Sequence, residues 1–575
     1  MTQLHIISLA GLLSIVYLGC VFVIGCALGH RFTSAISSQL ERCGFLLLTG
    51  LLAHACLSAT LLWLAPAWSG AALWLLVALS ALATPWWRSE LRGLGKPLLL
   101  LALYTIACYT LLLAYHYGPA RGPTLFWSIY NLTHITPGDS PQAAFQAQYL
   151  LQSGQLQGGQ DFALFDRPFL GGVITAGALS SFGLQFTQQF YDYTDLIAFC
   201  YAGLWIAINA ICILPLLNLI ERFSAGRTAR IIAVLLLVSP FLVYNIIGLW
   251  PKLLALALLC YAATNALRGR WQIAVLLSSA SFFAHGSFLW AHISFCGVLF
   301  FAAIASGLRA SAIPWKQPIA IVAACLIAPL LWFGAEHMVG GATPLRAYYL
   351  YNVDVTYGVT HSTAEAAHSF YSSTSMANIE ALPWINMLKG ILPVETLNMI
   401  LNFGIAGESI SWRKLGESLF QQQFARVWFA FGLVGGLITW RGAFHNESGR
   451  WLPRLALIAF FILPLIPGLG LYRRDDHFIL PIMVFSTIPI LISFCIGMRT
   501  LRERTMTLLA LWMLAEFFMV YFWRYPPGRL IGEFHAYYLA AVTLAILAAA
   551  ATILLSGTSK LQNEPMTDPN GIGGV

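Results

Sequence analysis

The sequence predicts an all-α, polytopic integral membrane protein with about 15 transmembrane helices and two long external loops that contain interfacial helices. Of the 575 residues, 59% are hydrophobic and only 9% are charged, and the mean hydropathy is +0.74. A helix needs roughly 20 mostly apolar residues to cross about 30 Å of hydrocarbon. Runs of this kind recur along almost the whole chain, which excludes a soluble enzyme with a single anchor.

Polar stretches divide these apolar runs into six segments. We predict N-terminal transmembrane helices over 1–116, a first external loop over 117–194, transmembrane helices over 195–334, a second external loop over 335–424, C-terminal transmembrane helices over 425–555 and a disordered cytoplasmic tail over 556–575. The individual spans are predicted near 5–28, 44–64, 71–86, 97–115, 196–220, 231–249, 253–267, 271–287, 288–306, 318–334, 427–440, 455–469, 478–497, 506–523 and 537–555.

Basic residues predict the orientation, because short cytoplasmic loops of membrane proteins are enriched in Lys and Arg. They concentrate in alternate connections: Arg31 and Arg42; Arg88, Arg92 and Lys96; Arg222, Arg227 and Arg230; Arg268 and Arg270; Arg309 and Lys316; Arg441, Arg450 and Arg454; Arg499, Arg502 and Arg504. We therefore predict that these connections are cytoplasmic and that the N-terminus and both long loops are outside. The short apolar stretch 171–186 would invert this pattern if it crossed, so we predict a helix lying along the outer membrane surface.

The 11 cysteines lie in or against the apolar runs, and neither long polar loop contains one. We therefore predict neither a disulfide framework nor a cysteine metal site, and we place the protein in a bacterial inner (plasma) membrane. The acids and histidines of the second external loop match no strong metal-ligand spacing, so no metal ligand is predicted. The net charge of +8 comes from the short basic loops, so nucleic acid is not a predicted partner.

Several outward strings carry the residues that suggest chemistry. In the first external loop they are Gly138-Asp139-Ser140, AFQAQYLLQSG over 144–154, and Phe165-Asp166-Arg167-Pro168-Phe169-Leu170; further on come Trp250-Pro251-Lys252-Leu253-Leu254 and the RRDDHFILP string over 473–481. This arrangement resembles the GT-C superfamily of membrane glycosyltransferases, which use polyprenyl-phosphate sugars and carry an essential acid in the first large external loop. The resemblance covers residues 117–481 as an arrangement of parts.

The resemblance implies roles for these residues. Asp139 would be the catalytic base that deprotonates the acceptor hydroxyl. The residues implied to contact the donor phosphate are Lys252, Arg167, Arg473, Arg474 and His477. The residues implied as further donor or acceptor contacts are His285 and Asp166.

Each role has a structural alternative. Asp139 would also serve as the N-cap of a helix beginning at Ser140. Lys252 could extend toward lipid headgroups, and His285 could be a structural hydrogen-bonding group. The loop arginines could be neutralised by neighbouring acids, namely Arg473 and Arg474 by Asp475 and Asp476, and Arg167 by Asp166 or Asp161.

The resemblance implies a sugar transferase with a polyprenyl-phosphate-linked donor, a glycan, glycolipid or protein acceptor, and membrane lipids around it. Two alternatives stay open: an O-antigen polymerase or ligase that uses a diphosphate-linked glycan, and a lipid or solute transporter. The chain contains no P-loop and no dinucleotide-binding glycine pattern. An activated lipid is therefore the expected source of energy, and a divalent cation (Mg²⁺ or Mn²⁺) is the one cofactor left open.

Overall fold

The computed structural model describes residues 3–33, 36–82, 84–116, 125–126, 129, 141–151, 168–184, 196–237, 239–309, 315–339, 363–377, 433–444 and 479–518. Throughout these ranges the secondary structure is helical, without a strand. Six helical segments of the described residues are long and apolar enough to cross a membrane, namely His5–Thr33, Gln39–Leu64, Trp87–Leu113, Leu196–Phe223, Gly286–Ala305 and Lys316–Gly334. The helical, membrane-compatible fold is thus confirmed, and the total of about 15 spans stays a prediction.

The first four helices follow the predicted spans with one correction. They are α1 (Gln3–Thr33), α2 (Gln39–Leu64), α3 (Ala71–Ala81) and α4 (Thr84–His116), with a short 3-10 turn at Pro66–Trp68 between α2 and α3. The predicted span 71–86 ends at Ala81, and the predicted loop with Arg88, Arg92 and Lys96 belongs to α4. Arg, Glu, Leu and Lys are good helix formers, so this charged stretch continues the helix.

Prolines interrupt the middle helices. The elements are α5 (Gln142–Leu151), α6 (Leu170–Ser181), α7 (Leu196–Ala210), α8 (Ile213–Phe223), α9 (Gly226–Leu237) and α10 (Pro240–Ile247). Pro215 has no N–H to bond the carbonyl of Ile211, and the regular hydrogen bonding of the span Leu196–Phe223 is interrupted at 211–212, between α7 and α8. Pro240 likewise stands at the start of α10. The predicted span 231–249 is therefore two short helices.

The remaining helices coincide with predicted spans to within a few residues, apart from α15 in the second external loop. They are α11 (Lys252–Leu267), α12 (Trp271–Ala284), a 3-10 turn (Gly286–Phe288), α13 (Leu289–Arg309), α14 (Lys316–Val339), α15 (Thr363–Ser373), α16 (Leu433–Phe444), α17 (Ile479–Arg499) and α18 (Glu503–Phe518). The predicted spans 455–469 and 537–555 and the tail lie outside the described residues.

Small residues let the helices approach closely. Gly25 of α1 lies against the backbone of Leu46, and Gly50 of α2 lies against the backbone of Val21, so that a Cβ at either glycine would collide with a carbonyl. Such close approach through glycine is a common way for helices to associate in a membrane. It makes the α1–α2 pair the rigid start of the bundle.

A buried carboxylate joins three helices at one end of the bundle, which we call the basic end. Glu41, at the start of α2, is 1% exposed and accepts hydrogen bonds from Arg222, 2.7 Å away, and from Arg268, 2.8 Å away. Arg42 forms an ion pair with Glu90 of α4. The connections predicted to share the cytoplasmic side therefore do share one end of the structure.

Two further contacts extend the basic end to the C-terminal helices. Arg227, in the first turn of α9, pairs with Glu503 at the start of α18. Arg441 of α16 donates a 2.6 Å hydrogen bond to Thr500, which follows α17. The connections with Arg42, Arg222, Arg227, Arg268 and Arg441 thus lie at one end, as the distribution of Lys and Arg predicts. The placement of the other basic connections and the side of the membrane that this end faces stay predictions.

Helix α6 differs from the prediction of a helix on the membrane surface. Gly171, Gly172 and Gly177 are buried, and α6 packs among α2, α3, α5 and α7. Gly172 lies against Gln146 of α5, and Gly177 lies against Ser58 of α2. The small residues that made the stretch look weakly apolar are the ones that let it fit between helices.

Candidate functional site at the end opposite the basic loops

Lys252 and His285 lie at the same end of the molecule, opposite the basic end. Helix α11 has 16 residues, a rise of about 24 Å, and its far end leads directly into Arg268 of the Glu41 cluster. Helix α12 returns from Arg270, whose guanidinium donates to the carbonyl of Phe32. Its 14 residues rise about 21 Å to reach His285. We call this the site end.

Lys252 is buried against an aromatic ring. Its side chain is 4% exposed and Trp250 is 5% exposed, and Nζ lies 3.2 Å from the centroid of the indole ring. This distance is well inside the range of about 6 Å for a cation–π contact. The ammonium group is therefore held in place inside the protein, which differs from the predicted alternative of extension toward lipid headgroups.

The turn that presents this pair is strained. Leu249 has φ +58°, a left-handed conformation that costs a residue with a Cβ roughly 1–2 kcal/mol. Pro251 follows two residues later and fixes the entry into α11. Strain of this kind persists where surrounding structure enforces it, often at functional sites, and here it sets the direction of Trp250 and Lys252.

The start of α11 favours an anion. Lys252 is the first residue of the helix, and Pro251 before it provides no side-chain acceptor for the first-turn amides. The N–H groups of a first helical turn point outward, and the helix dipole places partial positive charge there. The ammonium group of Lys252 adds a full charge to the same position.

His285 has a structural contact that the sequence analysis named as the alternative to a binding role. Its ring is 4% exposed, Nδ1 lies 2.7 Å from the Ser287 hydroxyl, and Nδ1 accepts the backbone N–H of Ser287. The ring packs edge-on against Phe288. His285 therefore caps the 3-10 turn Gly286–Phe288 and fixes the link between α12 and α13.

Phe169 connects the first external loop to these helices. It stacks on Tyr149 of α5 and packs against Trp332 of α14, with ring centroids 6.5 Å and 5.6 Å away. It also packs against the cluster containing Phe282, three residues before His285 in sequence. Phe169 thus brings the described end of the first loop, which begins at Pro168, beside the end of α12.

Helix α5 is firmly anchored at the point where the loop containing Asp139 enters it. The backbone amides of Ala143 and Ala144 face the buried hydroxyl of Tyr201 in α7. The carbonyl of Pro141 accepts from the amides of Ala144 and Phe145. The helix therefore begins at Gln142, after Pro141, so the predicted start at Ser140 is wrong by two residues.

The other predicted site residues lie outside the described residues. They are Asp139, Asp166, Arg167, Arg473, Arg474 and His477. Their chain neighbours are described: Pro141 follows Asp139 by two residues, Pro168 follows Arg167, and α17 starts two residues after His477. Helix α17 has 21 residues, about 31 Å of rise, between its start and the contact of Thr500 at the basic end. Its start is thus expected at the site end.

Sequence reasoning missed the groups that hold Lys252. The sequence places Trp250 two residues before Lys252 without showing that the two are in contact, and it does not predict that Phe169 and Trp332 join the first loop to α14. The Trp-Pro-Lys order contains a usable signal for the first contact, because the two residues are only two positions apart. The contact of Phe169 with Trp332 joins residues distant in sequence, so no local pattern reveals it.

The comparisons with known proteins provide no relative: no protein-family model, no curated protein and no solved structure matches the chain.

Proposed function

We propose that the chain is an integral membrane glycosyltransferase that moves a sugar from a polyprenyl-phosphate donor to a glycan, glycolipid or protein acceptor. We further propose that it works on the periplasmic face of a bacterial inner membrane. One observation carries the proposal: a buried lysine, held over an indole ring at the start of α11, at the end of the bundle opposite the basic loops. The phosphate of a lipid donor is an anion that reaches the protein from the membrane. A lysine at the end of the bundle opposite the basic loops is well placed to contact it.

In the proposed reaction the base accepts a proton from the acceptor, and the cation stabilises the leaving phosphate. Asp139 removes the proton of the acceptor hydroxyl as its oxygen attacks the anomeric carbon, and the bond from that carbon to the phosphate oxygen breaks. Polyprenyl phosphate leaves with the additional negative charge. Lys252 and the first-turn amides of α11 stabilise this charge more strongly in the transition state than in the bound donor, which accelerates the chemical step.

The helix that follows Asp139 in the chain also supports the proposal. Helix α5 begins three residues after Asp139, its first two turns are buried, and its first amides face the buried hydroxyl of Tyr201. A general base must stay within hydrogen-bonding distance of the proton that it removes. A loop whose following helix is anchored in the core meets this need better than a loop between two mobile segments.

The test is sugar transfer in membranes supplied with a panel of polyprenyl-phosphate sugars, read by mass spectrometry of lipid and glycan products. Asp139→Asn keeps the size of the side chain and removes the base, so we expect transfer to fall about 10²- to 10⁴-fold. Asp192→Asn, another acid of the same external segment, is the matched control and should retain activity at equal expression.

Each contrary outcome has a distinct meaning. Equal transfer by the native protein and Asp139→Asn would remove Asp139 from the mechanism and retain the enzyme class. If the native protein consumes none of the monophosphate donors but extends a diphosphate-linked glycan, the polymerase or ligase alternative replaces the proposal. If neither class of donor is consumed, glycosyl transfer is wrong and transport becomes the leading hypothesis.

A further inference from the structure

A cluster of soft ligand atoms lies between three helices below the site end. His292 and Cys296 are one turn apart on α13, and Cys325 comes from the facing helix α14. One ligand atom from each lies within 4.8 Å of the other two. His292 and Cys296 are buried, at 0% and 2% exposed. Neither the proposed reaction nor the predicted site uses these residues.

The spacing of the cluster is close to that of a tetrahedral zinc site. Zn–S bonds of about 2.3 Å and Zn–N bonds of about 2.05 Å at a tetrahedral angle place sulfur and nitrogen about 3.6 Å apart. Cys296 Sγ lies 3.8 Å from Nδ1 of His292. The Ser278 hydroxyl of α12, 2.9 Å from the same nitrogen, adds an oxygen donor. A small movement of side chains would therefore complete a site with two sulfurs, one nitrogen and one oxygen.

The charge of the complex selects the metal. Two thiolates and a neutral imidazole neutralise a divalent cation, whereas the same ligands around Cu⁺ keep a net charge of −1. A net charge in an apolar helical bundle is costly, and thiolate ligands disfavour hard ions such as Mg²⁺ and Ca²⁺. A borderline-soft divalent ion with no preferred geometry of its own fits best, and that ion is Zn²⁺.

We propose that His292, Cys296 and Cys325 bind one Zn²⁺ that fastens α13 to α14. Binding replaces two thiol protons: the bonds formed are two Zn–S bonds and one Zn–N bond, and two protons are released to solvent. Within the described structure, most of the apolar stretch of each span is exposed, the buried share being 28% in Gly286–Ala305 and 22% in Lys316–Gly334. A metal bridge adds a fixed link to the packing of α13 against α14, and Trp332 lies two turns along α14 from Cys325.

This proposal is independent of the proposed function, and its test needs no substrate. The full-length protein, purified without a polyhistidine tag, is stripped with a chelator, reloaded with Zn²⁺, separated from free metal and assayed for zinc by mass spectrometry. We expect about one zinc ion per chain and two protons released per ion in weakly buffered solution. Cobalt substitution should produce an intense near-ultraviolet band from thiolate-to-metal charge transfer.

The variants separate a built site from adventitious metal. Cys325→Ala should lose the zinc and the cobalt band, whereas Cys260→Ala, a buried thiol of α11, should keep both. If Cys325→Ala folds poorly, the zinc content of the native protein after stripping and after reloading provides the same comparison. The proposal is overturned if reloaded native protein retains no zinc, or if native protein and folded Cys325→Ala retain equal amounts, which would mean an adventitious ion only.

Discussion

The two ends of the helical bundle surround their buried charged side chains with different contacts. At the basic end, Glu41 receives Arg222 and Arg268, and Arg42 pairs with Glu90, so that cations from several connections are matched by carboxylates. At the site end, the ammonium group of Lys252 rests on the face of an indole ring. An ion pair joins helices through opposite charges, whereas an aromatic face holds a cation by the attraction of its π electrons. The first arrangement suits a structural clamp, and the second fixes the position of the side chain that we propose to contact the donor phosphate.

The largest effect should follow from breaking the clamp. Glu41→Ala leaves two arginines facing each other around a buried position, and removing one partner of a buried ion pair typically costs about 3–5 kcal/mol. We expect most of the protein to lose its monodisperse form in detergent at temperatures where the native protein survives. Fluorescence-detected gel filtration over a temperature series measures this loss. Unchanged thermal stability would show that Glu41 does not hold α2, α8 and α11 together.

Removing the site-end cation should affect turnover rather than folding. Lys252→Ala is expected to lower sugar transfer about 10²- to 10³-fold, as for removal of one electrostatic stabiliser of a transition state. Lys316→Ala is the matched control, because Lys316 is also the first residue of a long helix but belongs to a connection predicted to be cytoplasmic. Equal losses in the two variants would contradict a special role for the site end.

Replacing the aromatic partner should have a smaller effect. Trp250→Leu removes the ring and retains an apolar side chain, so the loss is that of a cation–π contact, about 0.5–2 kcal/mol. We expect a 2- to 30-fold weaker apparent affinity for the donor, with partial recovery in Trp250→Phe. Kinetics over a range of donor concentrations provide the comparison. If Trp250→Leu and Trp250→Phe behave alike, the ring is not what positions Lys252.

The smallest effect belongs to an exposed pair at the basic end. Arg227 and Glu503 are 56% and 63% exposed, and ion pairs of that kind contribute about 0–1 kcal/mol. Glu503→Gln should therefore leave the thermal stability almost unchanged, in contrast to Glu41→Ala. A large loss of thermal stability in Glu503→Gln would show that the exposed pair stabilises the fold as strongly as the buried ion pairs of Glu41. That result would contradict the difference between buried and exposed ion pairs at the basic end.

The sequence predicted the positions of the basic connections best, because one physical cause, the positive-inside bias, governs all of them. Arg42, Arg222 and Arg268 belong to separate connections, yet the positive-inside bias predicted one side for all of them, and they meet at Glu41 and Glu90. The positive-inside bias does not, however, indicate whether a helix continues through a charged stretch. Arg88 to Lys96 were predicted to form a loop because charges usually end a span, although the same residues are good helix formers and continue α4.

Packing was harder to predict than sidedness. The glycines of α6 suggested a weak surface helix, whereas Gly172 and Gly177 fit against Gln146 and Ser58. A run of small residues is also the signal for close packing in membranes, so this feature could have been found. Cys325, by contrast, lies 29 residues after Cys296 on another helix, and nothing local in the sequence places the two thiols together.

The proposed reaction is tested most directly by determining which side of the membrane each end of the bundle faces. With Cys56, an exposed thiol, replaced by serine, Ala67→Cys marks the turn after α2 at the site end and Ala225→Cys marks the turn after α8 at the basic end. Both alanines are exposed. We predict that a membrane-impermeant maleimide added to spheroplasts labels Ala67→Cys alone, and that Ala225→Cys reacts only after permeabilisation. The reverse pattern would put Lys252 on the cytoplasmic side and contradict transfer from a lipid-phosphate sugar at the outer face.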